Sequence, residues 1–314
     1  MQEPNVYDVI VVGAGCAGLS AGMYAGRFGL KTIVVGEMPG GTITTTHIVE
    51  NYPPIKSITG LELGNMFLEH AKAYDVPVEM DIVTGIEKKE NGFLVKTDYK
   101  EFFGKTVIYA TGTEWKKHGG AGEKEFANKG VHYCALCDGA FYKGKKIAII
   151  GSGDSAVKES ALLAELGSHV YMIVRGDGIK GERINRENAL SNPKIEILTN
   201  VEVKEFLGNS KLERVRLSRA IKVKGAQEES DELEVSAVFV LIGHIPRTQI
   251  AGKLGVELDK RGEIVIDRVG RTNVAGFFGA GDCCDTEFKQ AIISASEGVS
   301  AAYSADQYLK KRGK

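Results

Sequence analysis

The sequence predicts an α/β protein made of two parallel-sheet units, and three observations carry that prediction. Tyr7–Val12 and Lys146–Ile150 are β-branched runs of strand length, and each leads into a glycine turn, then helical spacing, then another strand. The two turns, Gly13-Ala-Gly15-Cys16-Ala17-Gly18 and Gly151-Ser-Gly153-Asp154-Ser155-Ala156, place small residues at the same spacing. They stand about one domain length apart, so the repeat reads as two units of one architecture.

In the first unit the helix is expected over Leu19–Phe28 and the second strand over Lys31–Val35. In the second, a helix carrying Ala161, Leu162 and Leu166 precedes a strand at His169–Val174. Strand–turn–helix is the context in which such a glycine turn binds a dinucleotide. The first glycine makes the turn, the second admits the pyrophosphate to the backbone, and the third small residue lets the helix pack on the strand. The helix N-terminus then offers free N–H groups and a positive dipole to the phosphates. About 20 residues beyond the turn, the position that reads the adenosine ribose is Glu37 in the first unit and Arg175 in the second. An acid bonds a ribose hydroxyl pair and a cation suits a 2′-phosphate, so the first unit fits FAD or NAD and the second leans to NADP, with Asp177 close by. Ile82–Glu87, Gly92–Thr97 and Lys105–Tyr109 read as strands of a meander, and Glu202–Phe206, Leu212–Ser218 and Leu233–Leu241 as a second antiparallel set. Ala226–Glu232 reads as a polar turn.

Composition removes several functional classes. Forty Lys and Arg against 41 Asp and Glu leave no field for a polyanion, which argues against nucleic-acid or membrane-surface binding. The apolar stretches, such as Val9–Val12 and Ile147–Ile150, fall far short of the roughly 20 residues that span a bilayer. Met1–Tyr7 has no cationic segment and reads as the approach to a first strand, not a signal peptide. Five cysteines are an odd number for a secreted disulfide framework, so a cytoplasmic protein is expected.

Two of those cysteines carry chemistry. Cys134-Ala-Leu-Cys137-Asp138 lies between the two nucleotide units. A two-residue spacer permits a disulfide where the chain turns into a helix, and thiol–disulfide exchange needs one cysteine to attack and another to resolve. Asp138 is placed to exchange a proton with a thiol. A zinc site would need four ligands; His132 and Cys283–Cys284 are the nearest candidates, but no second CxxC or paired-His motif accompanies them, and no metal is expected. Cys16, Cys283 and Cys284 read as small buried thiols.

With these motifs in place, the chain resembles the low-molecular-weight thioredoxin reductases over nearly its whole length. The resemblance rests on Gly13–Gly18, Gly40-Gly41-Thr42, Glu50-Asn51-Tyr52-Pro53, Ala110-Thr111-Gly112, Cys134–Asp138, Gly151–Ala156, Ile242-Gly243-His244 and Gly279-Ala280-Gly281-Asp282. It implies two Rossmann-like domains of three-layer ββα type, with an NAD(P)H domain (114–243) inserted into a discontinuous FAD domain (1–113 and 244–314). It implies FAD contacts from Gly13, Gly15, Cys16, Ala17, Gly18, Gly36, Glu37, Gly40, Gly41, Thr42, Asn51, Ala110, Thr111, Gly112, Gly281, Asp282, Lys289, Gln290 and Ala291. NAD(P)H contacts are implied from Gly151, Gly153, Asp154, Ser155, Ala156, Arg175, Lys180, Ile242 and Gly243.

The implied activity is electron transfer from NADPH through FAD to a Cys134–Cys137 disulfide and on to thioredoxin or a glutaredoxin-like protein. Cys137 would stand next to the flavin, Cys134 would attack the partner and Asp138 would carry the proton. A homodimer and a rotating inserted domain come with the resemblance, as does contact of Lys129 and Phe141 with thioredoxin. Two departures qualify it. The family's basic cluster for the 2′-phosphate is reduced to Arg175 and Lys180, which opens the site to NADH or the enzyme to another electron donor. Thr42 stands where the family has a glutamine. A dithiol oxidase on the same scaffold and a nucleotide-reading redox sensor are the competing readings. A relative with an added N-terminal disulfide domain is not expected, since the first strand begins near Tyr7. Trp115 is expected to pack at the domain connection and His244 to be structural.

Overall fold

In the computed structural model, which describes residues 6–313, the chain forms two compact units. One comprises the residues up to Glu114 together with those from Ile245 onward, and the other is the inserted Trp115–His244. The reading of the first five residues lies outside the described residues.

In the first unit the strand Val6–Val12 is central, parallel to Thr32–Val35 on one side and to Glu101–Tyr109 on the other. Val78–Glu79 and Phe277–Gly279 extend the parallel sheet. The N-terminal part of Glu101–Tyr109 pairs instead with an antiparallel meander, Gly92–Thr97 and Val83–Lys89. Side-chain alternation sorts the central strand's residues between two apolar layers. Ile10 and Val12 join Phe93 and Val95 of the meander, whereas Val9 and Val11 join Leu19, Ala21 and Ala25 of the helix Cys16–Arg27. Burial on both faces explains why this strand reads as an unbroken apolar run. Ala301, Ala302 and Ala305 of the helix Ala291–Arg312 complete the helical layer. The two helices touch almost backbone to backbone, since a Cβ on Gly298 would overlap the carbonyl oxygen of Ala17.

The second unit repeats the plan with a five-stranded parallel sheet. Its order is Val131–His132, Ala237–Val240, Lys146–Ile150, His169–Val174, Ile195–Thr199. One face packs Ile147, Ile149, Val170 and Met172 with Val157 and Leu163 of the helix Asp154–Leu166. The other packs Ala148, Ile150 and Tyr171 with Phe206, Val215 and Leu233 of an antiparallel sheet, Val203–Gly208, Leu212–Ile221 and Ser230–Glu234. The three-layer, Rossmann-like α/β arrangement expected from the sequence is thus present in both units.

One expected strand is corrected. Leu233–Leu241 is two strands in different sheets: Ser230–Glu234 pairs antiparallel with Leu212–Ile221, and Ala237–Val240 runs parallel between Val131–His132 and Lys146–Ile150. The chain crosses between the layers at Val235-Ser236, where Ser236 N–H donates to the Lys146 carbonyl. Likewise the polar turn expected over Ala226–Glu232 ends early, because Ser230 already begins a strand.

Candidate active site

The first glycine turn is tightly enclosed. Gly13 has φ 109° and a Cβ there would overlap the Ala110 carbonyl; one on Gly18 would overlap the Gly13 carbonyl. Gly36 faces Ala14 N at 2.5 Å and Gly41 faces the Gly15 Cα at 2.7 Å, measured from the Cβ each lacks. Gly40 N–H donates to the Ala14 carbonyl at 2.8 Å, so the segment that opens the short turn Gly41–Thr45, with Thr42 in it, is tied to the glycine loop. At Gly15, in contrast, the space a Cβ would occupy is free out to 3.8 Å. Gly15 caps the helix Cys16–Arg27 without a side-chain hydrogen bond. A small open residue at an uncapped helix N-terminus is the geometry a pyrophosphate needs.

Around that turn stand the other residues singled out in this unit. Ala110 N–H donates to the Val12 carbonyl at 2.7 Å, Thr111 Oγ1 donates to the Arg247 carbonyl at 2.7 Å, and the space beside Gly112 is open. Glu37 is exposed, with Arg247 Nη1 3.8 Å from its carboxylate. Ser294 Oγ donates to Asp282 Oδ1 at 3.0 Å, and Gly281 N–H donates to Glu297 at 2.7 Å. Burial pushes the Glu297 carboxyl up from its usual range. Asn51 Nδ2 donates to Gln290 Oε1 at 3.0 Å, joining two residues far apart in sequence just before the helix that begins at Ala291. The Lys289 ammonium is turned inward: it donates to the carbonyls of Asp282 and Cys284, each at 2.7 Å, and lies 3.0 Å from Glu263. Lys289 therefore braces the Asp282 turn from behind. Ala17 and Cys16 are buried, and burial, with Asp282 nearby, pushes the Cys16 thiol up to about 12. Cys283 and Cys284 are also buried, their sulfurs 4.0 Å apart in a weak thiol hydrogen bond and not joined as a disulfide. None of these three thiols has the exposure that exchange chemistry requires.

The second glycine turn is looser. A Cβ on Gly151 would overlap the Leu241 carbonyl, but Gly153 has nothing within 4 Å of that position, and neither has Gly243. Gly153 caps the helix Asp154–Leu166, again without a side-chain hydrogen bond. Asp154 Oδ1 accepts from Glu182 N–H at 2.8 Å and from Asn185 Nδ2 at 3.2 Å, while Lys180 N–H donates to the Ser152 carbonyl at 2.6 Å. These bonds hold the loop carrying Lys180 against the turn, whereas Ser155 is exposed and Ile242 half-buried. Arg175 is 86% exposed and its nearest carboxylate, Glu202, is 4.0 Å away. Glu159, on the same helix, was not legible in the sequence: burial pushes its carboxyl up to about 7, and its Oε2 has no hydrogen-bond partner.

Cys134 and Cys137 are joined as a disulfide, with Cα atoms 5.3 Å apart. The expected helix start is a single turn, Ala135–Asp138, at whose head Cys134 Sγ accepts from Cys137 N–H at 3.1 Å. Gly139 follows directly, where a Cβ would sit 3.0 Å from Leu163 and Leu166, so the turn packs on the helix Asp154–Leu166. On the other side Tyr133 donates to the buried Glu123 at 2.8 Å; Glu123 also accepts from the N–H groups of His118 and Gly119. Although burial opposes it, those hydrogen bonds lower the Glu123 carboxyl below its usual range. His132, Asp138 and Tyr142 form one cluster: His132 Nδ1 lies 3.1 Å from Asp138 Oδ2, and its Nε2 shares a 2.8 Å hydrogen bond with the Tyr142 hydroxyl. Phe141 is 80% exposed, and Lys129 is exposed as well. Trp115 packs on His244 with ring centres 4.6 Å apart.

Two nucleotide-type turns and a bonded cysteine pair beside an acid define a disulfide oxidoreductase fed by a dinucleotide, and the chain belongs to the pyridine nucleotide-disulphide oxidoreductase family, whose pattern matches residues 7–298. Among its relatives, it is 38% identical to the thioredoxin reductase of Bacillus subtilis, over 99% of this chain and 97% of that protein. It is 36% identical to a Bacillus subtilis NADH dehydrogenase over 98% of this chain, a match that covers 59% of that protein. The structure of Lactococcus lactis thioredoxin reductase superposes with a TM-score of 0.91 at 32% identity, covering 97% of this chain and 99% of that one.

Proposed function

We propose that this chain, a flavin-dependent thioredoxin-disulfide reductase using FAD and NAD(P)H, works through the Cys134–Cys137 disulfide, with FAD at the first glycine turn and the nicotinamide nucleotide at the second. The observation that carries the proposal is the disulfide itself. It is the one cysteine pair bonded among the described residues, it lies in the same unit as a nucleotide-type turn, and an acid follows it directly. The chemistry FAD supplies when bound is the relay of an electron pair from reduced nicotinamide to a disulfide.

The residues fit that cofactor. Gly15 leaves the backbone open and the uncapped head of Cys16–Arg27 supplies N–H groups to the pyrophosphate. Gly13, Ala17, Gly18, Gly36, Gly40, Gly41 and Thr42 shape the cradle; Glu37 takes the ribose; Ala110, Thr111, Gly112, Gly281, Asp282, Asn51, Gln290 and Ala291 surround the remainder, with Lys289 as support. In the inserted unit Gly151, Gly153 and Ala156 hold the pyrophosphate of NAD(P)H, assisted by Asp154, Ser155, Ile242 and Gly243, while Arg175 and Lys180 meet the adenosine ribose. Cys134 attacks the partner's disulfide, Cys137 resolves the mixed disulfide, and Asp138 takes up the proton that the resolving thiol gives up. Two cysteines and one proton carrier are what one turn of exchange requires.

The partner is a thioredoxin or glutaredoxin-like protein that meets the exposed Phe141 and Lys129. The enzyme works as a cytoplasmic homodimer. No helix among the described residues is long and apolar enough to cross a membrane. Cys134→Ser tests the assignment. The variant is expected to bind FAD and to let NAD(P)H reduce it, yet to lose at least about a hundredfold in reduction of a protein disulfide. Normal turnover with thioredoxin would remove Cys134 from the mechanism.

A further inference from the structure

His132 stood in the sequence only as a rejected metal ligand. In the structure it is buried at 4% exposure on the short strand Val131–His132, stacked against Phe239 with ring centres 5.5 Å apart. Its Nε2 is fixed by the Tyr142 hydroxyl at 2.8 Å. Its Nδ1 has no access to solvent and faces Asp138 Oδ2 at 3.1 Å. That distance suits a hydrogen bond, but the two groups are poorly aligned for a full one. A buried polar atom so poorly satisfied beside a reactive group calls for an explanation, and a catalytic role is one.

We infer that His132 is the positioning residue for Asp138, orienting the carboxylate and donating to it so that it can take a proton from the resolving thiol. The inference deepens the proposed function and rests on its assignment of Cys134, Cys137 and Asp138. Three observations support it. Phe239 and Tyr142 lock the ring plane from two sides, so Nδ1 cannot swing away from the carboxylate. The charged or titratable groups facing the imidazole are Asp138, from the one-turn helix, and Tyr142, from the turn that follows; the neighbouring strand Ala237–Val240 contributes the uncharged Phe239. Burial pushes the imidazole below its usual value and so disfavours its charged form, with Asp138 pulling the other way. With the Tyr142 hydroxyl donating to Nε2, a neutral ring carries its proton on Nδ1, where it can donate to the carboxylate once the two align.

In the step concerned, the Cys137 thiol gives its proton to Asp138 and the resulting thiolate attacks the Cys134 sulfur of the mixed disulfide. The Cys134–Cys137 bond forms, the bond to the partner breaks, and the partner's sulfur leaves as thiolate carrying the electron pair.

The test uses the holoenzyme reduced with dithiothreitol, desalted, and re-oxidised by an aromatic disulfide whose released thiolate is coloured, from pH 5 to 9. Two variants separate the donor from the ring. His132→Asn places an amide nitrogen where Nδ1 stood, and His132→Phe keeps the stacking but removes the donor. In His132→Phe the acid limb of the rate profile is expected to move up by about one pH unit, a roughly tenfold loss at pH 6 with little change at pH 8.5. His132→Asn should restore the limb, and adding His132→Phe to Asp138→Asn should change nothing further. A uniform drop at every pH in His132→Phe, or the same shift in the Asp138→Asn background, would overturn the inference. If the reduced wild-type pair does not react with the disulfide at all, the assignment of the cysteines itself has failed, and this shows before any variant is compared.

Discussion

The two glycine turns look interchangeable in the sequence and differ in the structure. At the first, backbone meets backbone on nearly every side of Gly13, Gly18, Gly36 and Gly41, while Gly15 and Gly112 open outward. At the second, Gly151 is enclosed but Gly153, Gly176, Gly178 and Gly243 have free space around them. The acids differ too. In the first unit Arg247 approaches Glu37, and in the second Glu202 approaches Arg175. The first turn is a fixed cradle suited to a cofactor that stays. The second is an open site whose exposed Arg175 already has an acid beside it, suited to a nucleotide that comes and goes.

Substituting single glycines separates the two most sharply. Gly18→Ala forces a Cβ into the Gly13 carbonyl, and should lower stability by about 3 kcal/mol and strip the bound flavin. Gly153→Ala has extended backbone and empty space, and should change stability by less than about 0.5 kcal/mol while weakening NAD(P)H by filling the approach of its pyrophosphate. Thermal melts and flavin absorbance of the two purified variants decide it; equal losses of stability would break the contrast. A smaller effect sharpens it at the ribose. Arg175→Ala should weaken NADPH several-fold more than NADH, and Glu202→Gln should strengthen NADPH by about threefold by freeing the guanidinium for a 2′-phosphate. Steady-state kcat/KM ratios for the two nucleotides check both, and parallel changes for NADPH and NADH would remove these residues from specificity.

Most of the architecture was legible because burial imposes a period on the sequence. Val9–Val12 and Ile147–Ile150 are covered on both faces, and their small-residue turns are required by backbone contacts that a side chain would destroy. The error at Leu233–Leu241 has the same origin. Leu233, Val235 and Ala237 are buried in turn, so one alternating pattern runs unbroken across the passage from one sheet to another. Within the site, the positions of glycines and cysteines follow from local spacing. What spacing does not reveal is which side chains meet across the fold. Glu202 reaches Arg175 from the edge of the antiparallel sheet, and Lys289 turns its charge inward to Glu263. His132 meets Asp138 across the cysteine turn, and the sequence offered no sign of it beyond a histidine near a CxxC pair.

The central claim is that electrons from NAD(P)H reach the Cys134–Cys137 bond. Anaerobic reduction of the holoenzyme with NADPH, and in parallel NADH, followed by alkylation under non-denaturing conditions and peptide mass mapping, tests it directly. The account predicts that at least one nucleotide bleaches the flavin and that label appears on Cys134 and Cys137, with Cys16, Cys283 and Cys284 protected by burial. Bleaching of the flavin with the Cys134–Cys137 disulfide left intact would contradict it.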